Sequence, residues 1–157
     1  MQTPFLLPLA LALALLLVVA AAGDLRSRTI SNRLNAAIAL LAPLWWWAQG
    51  LGWWPGIALV LLGAVLVFAF FAAAFALGAM GGGDVKLLTA LALWFSGDAL
   101  LRLLVITALA GGVLTLAMLA LHRWRKAPGR PEIPYGVAIA AAGLWSIAND
   151  ILTIQAP

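Results

Sequence analysis

The chain has 157 residues, 66% of them apolar, with a mean hydropathy of +1.11 and only 9% charged. Soluble domains carry roughly 25% charged residues, so this composition excludes one and implies an all-α, polytopic membrane protein. The net charge of +4 comes without a basic patch interleaved with aromatics, which argues against nucleic acid as a partner; on a membrane chain the Lys/Arg excess reports topology.

Residues 4–22 form a charge-free apolar run, close to the ~20 residues a spanning helix needs. No basic region precedes the run, which reads as a retained first helix rather than a cleaved signal peptide. Gly23-Asp24 ends it, and a polar connection carrying Arg26, Arg28 and Arg33 follows. Residues 34–47 form a second apolar run with Pro43 inside. It closes in Trp45-Trp46-Trp47, and Trp53 and Trp54 follow a glycine-containing turn. This tryptophan cluster reads as an interfacial aromatic belt. Residues 55–77 make a third span.

The stretch Gly78-Ala79-Met80-Gly81-Gly82-Gly83-Asp84-Val85-Lys86 then breaks the apolar pattern with flexible backbone and a carboxylate. Residues 85–95 give a short fourth helix, and Ser96-Gly97-Asp98 a turn. Residues 99–121 give a fifth span interrupted by Gly111-Gly112. Residues 122–134 form the most polar loop, and residues 135–154 a sixth span. The expectation is one domain, 1–157, folded as a bundle of about six transmembrane helices. Alternate connections are basic or nearly free of Lys and Arg, which places both termini outside and the basic connections in the cytoplasm.

That topology returns Asp24 and Asp84 to one membrane face. Two carboxylates in a poorly solvated site resist joint ionisation and share a proton. Such a pair can deprotonate a water for attack on an amide and protonate the leaving nitrogen. Spacing alone leaves a plainer reading open: Asp84 as the N-cap of the fourth helix, Gly81 to Gly83 as a permissive turn, and Asp24 as a loop acid beside Arg26 or Arg28. Asp98 reads as a cap, Asp150 as structural, and Glu132 and His122 as loop residues. With no cysteine and a single histidine, neither a thiolate nucleophile nor a Cys- or His-based metal site is expected. Ser27, Ser31, Ser96 and Ser146 lack a nucleophile-elbow context. If the chain is an enzyme, the acids carry the chemistry.

Gly81-Gly82-Gly83-Asp84, followed by Val85-Lys86-Leu87, resembles the GxGD signature of the type IV prepilin peptidases. Asp24-Leu25-Arg26-Ser27-Arg28-Thr29-Ile30-Ser31-Asn32 is similar to that family's first aspartate motif, with Ser31 where a proline is usual. Pro134-Tyr135-Gly136-Val137-Ala138-Ile139 resembles the segment opening its last helix. The three matches fall in the family's order.

The resemblance implies an aspartyl endopeptidase of the bacterial inner membrane, with its site facing the cytoplasm. Such an enzyme removes the short basic leader from prepilins or pseudopilins. By position, Asp24 and Asp84 are the implied catalytic pair. Gly81 and Gly83 are implied to shape the backbone, and Lys86 occupies the signature's next basic position. No metal or other cofactor is implied. The chain has neither the cytoplasmic insertion nor the tetracysteine zinc site of the longer, methylating members, and is similar to the short form associated with Flp-type pili. A rival from another class is a small transporter or pilus-assembly scaffold using Asp84 as a proton or cation site.

Overall fold

A computed structural model describes residues 4–125 and 133–155. The described residues form an all-helical bundle of six α-helices, without strands: α1 (Leu6–Ser27), α2 (Asn32–Ala48), α3 (Ala58–Ala76), α4 (Gly82–Ala92), α5 (Gly97–Trp124) and α6 (Tyr135–Gln155). A short irregular turn, Trp53–Ile57, leads into α3; within it Trp54 is extended. Four stretches are long and apolar enough to cross a bilayer: Leu6–Ser27, Trp53–Ala76, Gly97–Trp124 and Tyr135–Thr153. With 17 and 11 residues, α2 and α4 are shorter.

The shortest helix is the most enclosed. Packed against α2, α3 and α6, α4 buries Val85, Leu87, Leu88, Ala90, Leu91 and Ala92. Leu13 and Leu17 of α1, Ile38 of α2, Leu103 of α5 and Ile139 of α6 complete the core. At Gly143 the crossing is tight: a β-carbon there would stand 2.9 Å from Leu17 Cδ1 and 3.1 Å from Leu91 Cδ1. The long helices turn Leu, Val and Phe outward, including Leu15, Val65, Phe70 and Leu116. Exposed apolar faces of this extent suit helices bathed in lipid, where each helix satisfies its own backbone.

Several boundaries differ from the sequence expectation: α4 spans Gly82–Ala92 rather than 85–95, and three others show how the ends are set. First, α1 does not stop before Gly23 but runs through Asp24 to Ser27. Its end is set by Arg28, left-handed at φ 53°, whose N–H donates to the Asp24 carbonyl. The Ser27 hydroxyl also donates back to the Gly23 carbonyl at 2.9 Å. This is a non-glycine version of the left-handed C-terminal cap. Second, α2 begins at Asn32, because the Ser31 hydroxyl accepts from the Leu34 N–H as an N-cap. The serine that departs from the family triplet therefore has a local structural role. Third, α5 continues past residue 121 to Trp124, so His122 and Arg123 lie in its last turn rather than in a loop. Glu132 falls outside the described residues.

The tryptophan cluster divides. Trp47, Trp53 and Trp54 are exposed, as an interfacial belt requires. Trp45 is fully buried, with its ring 5.5 Å from that of Trp94. Trp46 Nε1 donates to the Leu93 carbonyl and Trp94 Nε1 to the Ile38 carbonyl. Reading all the tryptophans as a belt is thus incorrect for Trp45 and Trp46, which fasten α2 to α4. Consecutive residues on a helix point about 100° apart, so a run of three cannot share one face.

Candidate active site

One end of the bundle gathers the C-terminal turn of α1, the N-termini of α4 and α6, and the glycine-rich link after α3. Each contributes for a local reason. The left-handed Gly78 (φ +72°) turns the chain out of α3, a conformation glycine adopts without the usual steric cost. Gly81 is extended and caps α4 without a side chain. Asp84 lies in the first helical turn, where its carboxylate accepts the Gly81 N–H. It is therefore the third residue of the helix reaching back to the cap, not the N-cap itself.

Asp24 and Asp84 together line two adjoining cavities, of about 490 Å³ and about 280 Å³. Arg28 and Gly81 are common to both. Ala79, Met80, Ile133 and Tyr135 complete the larger; Ile30, Gly82 and Gly83 wall the smaller. Asp24 is 4% exposed, and its Oδ2 accepts the Val137 N–H at 3.2 Å. It is thus a buried helical acid held by the start of α6, not a loop acid. Asp84 is outside the four spanning stretches. Its own burial, then the charge of Asp24, push its carboxyl up to about 6, against the lowering effect of the Gly81 N–H. A carboxyl so placed is poised to hold a proton near neutrality.

The glycines differ in what they do. A β-carbon at Gly81 would stand 2.9 Å from Asp84 Oδ2, so this position keeps the carboxylate where it is. At Gly83 a β-carbon would meet Ile30 at 3.5 Å, an ordinary contact. Lys86 faces another way. Its Nζ donates to Asn32 Oδ1 at 2.8 Å, and it lines a separate cleft with Asn32, Asn35 and Phe68. Beside it, Asn35 Nδ2 donates to the Gly83 carbonyl at 3.3 Å. Lys86 and Asn35 thereby clasp the start of α2 to the start of α4, and Lys86 does not line either acid cavity.

Sequence reasoning missed Gly136 as a site residue. A β-carbon there would stand 2.9 Å from Asp24 Oδ2, 3.0 Å from its Cγ and 2.7 Å from Ile30 Cδ1. The only sequence signal was the Pro134-Tyr135-Gly136 string, which marks a helix start without saying what it touches. Tyr135 was missed likewise. It lines the larger acid cavity, and its hydroxyl shares a hydrogen bond of 3.2 Å with Thr115 of α5. Asp98 lies in the first turn of α5. Asp150 pairs with Arg102 at 3.7 Å, far along α6 from the acid pair.

Against known proteins, the model of the type IV leader peptidase family matches residues 11–116, a span that includes both acids and the glycine-rich link. No curated protein and no solved structure matches the chain. With more than half of its length matched, the chain belongs to the type IV leader peptidase family.

Proposed function

We propose that the protein is a membrane aspartyl endopeptidase that removes the short basic leader from prepilins or pseudopilins. The observation that carries this reading is the shared cavity: two acids sixty residues apart in sequence line one space at one end of the bundle. Asp84, with its raised pKa, is assigned the proton, and Asp24 the general-base role. Asp24 takes a proton from water, and the water oxygen attacks the scissile carbonyl carbon while the Asp84 proton supports the carbonyl oxygen. In the collapse of the tetrahedral intermediate the leaving nitrogen is protonated and the C–N bond breaks. Gly81 and Gly136 leave room for the carboxylates, and Gly83 lines the smaller acid cavity where an extended substrate backbone would pass. Lys86 acts through the clasp to Asn32.

The site is assigned to the cytoplasmic face of a bacterial inner membrane, with both termini outside. Arg26, Arg28, Arg33 and Lys86 lie on connections or helix ends at the acid end of the bundle, in keeping with the positive-inside rule. The match to the leader peptidase family favours peptidase over transporter. The reading is tested by incubating the purified, nanodisc-reconstituted protein with a prepilin and identifying the products by mass spectrometry. Release of an intact leader supports it; proton-coupled uptake into vesicles without any leader cleavage would replace it with the transporter.

A further inference from the structure

A second cavity of about 490 Å³ opens between α3, α5 and α6, beside the acid site. This is within the ~300–1,000 Å³ range of ligand pockets. Its walls are almost wholly apolar: Phe71 and Ala74 on α3, Ala108 and Leu116 on α5, Ile139 on α6. Ala79, Met80 and Tyr135 line both this groove and the larger acid cavity, so the two spaces adjoin at that end. The helices are arranged to leave it open. While α5 packs extensively on α6, it makes little contact with α3. Those two touch where Gly63 admits Leu100: a β-carbon at Gly63 would stand 2.8 Å from Leu100 Cδ2. Gly63 lies toward the other end of α3 from Phe71 and Ala74, and Leu100 one turn before Leu104, where the groove begins on α5.

Resting on the peptidase reading, we propose that this groove docks the apolar helix of the substrate, the segment that follows the scissile bond. The rim shared with the acid cavity selects this occupant. A chain cleaved between Asp24 and Asp84 that continues past Met80 and Tyr135 enters the groove. The chemistry of the walls agrees. Small residues let a foreign helix approach closely, the main source of helix association in lipid. Gly112 lines the groove, and a β-carbon there would meet nothing within 4 Å. Tyr135, tied to Thr115, stands at the junction as the gatepost between leader and helix.

The test is Gly112→Leu, which places bulk in the groove where this protein's own atoms leave space. The nanodisc-reconstituted variant is assayed on two substrates, a full prepilin and a synthetic peptide ending a few residues beyond the cleavage site. The expected result is a fall of about tenfold or more in the kcat/KM ratio of prepilin to peptide. An unchanged ratio overturns the groove assignment while leaving the peptidase intact; a wild-type protein that cleaves neither substrate removes the peptidase reading instead. A photo-crosslinking residue at position 112 gives the second readout. Capture of the prepilin supports the proposal, and capture of lipid alone or of a second copy of the chain overturns it.

Discussion

Gly136 lies against the Asp24 carboxylate so closely that a β-carbon would stand 2.9 Å from Asp24 Oδ2. The neighbouring Val137 N–H donates to the same oxygen. The start of α6 thus both leaves room for the acid and holds it in place. Gly136→Ala is expected to displace the carboxylate, because the nearby backbone of α6 cannot yield as a flexible side chain would. A misplacement of about 1 Å in a catalytic group costs ~10²-fold in rate. The check is prepilin processing by the purified variant, with a thermal melt showing that the fold is kept.

Gly81→Ala makes the corresponding test on the other acid. Its backbone, at φ −74°, accommodates alanine without strain, so the new methyl acts on the Asp84 carboxylate 2.9 Å away. The expected outcome is a drop of about tenfold or more in kcat/KM with little change in melting temperature. A change confined to stability would show that Gly81 serves the helix start rather than the acid.

The raised Asp84 pKa sets two pH signatures. If Asp84 carries the proton, kcat/KM falls as pH rises through about 6, since that profile reports the free enzyme. The stability signature has a defined sign. The folded-state pKa exceeds the ordinary 3.8, so the folded state holds this proton more tightly. Its stability therefore declines as pH rises from about 4 to about 6, and stays lower above. Asp84→Asn removes that penalty, so the variant is expected to melt higher than the wild-type protein near neutral pH. The gain should vanish below about pH 4. Melting curves across this range decide the matter.

The Arg102–Asp150 pair, separated by 3.7 Å, ties α5 to α6 away from the acids. Asp150 is 14 residues beyond Gly136 on α6, about 21 Å at the helical rise. Asp150→Asn is expected to keep prepilin processing within about twofold, and to lose no more than ~1 kcal/mol, because Arg102 is half exposed. A processing defect with normal folding would mean that this pair belongs to a functional pathway.

The helices were legible in the sequence because long apolar runs broken by glycine and polar residues have few alternatives in lipid. The glycine-rich break before Asp84 and the same-face placement of the two acids were legible too. What escaped was set by contacts between distant residues. The extension of α1 through Asp24 depends on the left-handed Arg28 and on the Ser27–Gly23 hydrogen bond. The burial of Trp45 and the hydrogen bond of Trp46 depend on α4, since a run of tryptophans does not disclose which rings turn inward. Gly136 and Asp24 stand more than a hundred residues apart, and no local pattern announces their contact. The direction of Lys86 was equally hidden, because its partner Asn32 comes from another helix.

The central claim is that Asp24 and Asp84 act as one catalytic unit, and the most direct measurement is the processing of a co-expressed prepilin by Asp24→Asn and Asp84→Asn. With each variant inserted in the membrane at the wild-type level, the mature pilin band is expected to disappear, a loss of about a thousandfold or more in turnover. Retained cleavage by either variant would contradict it.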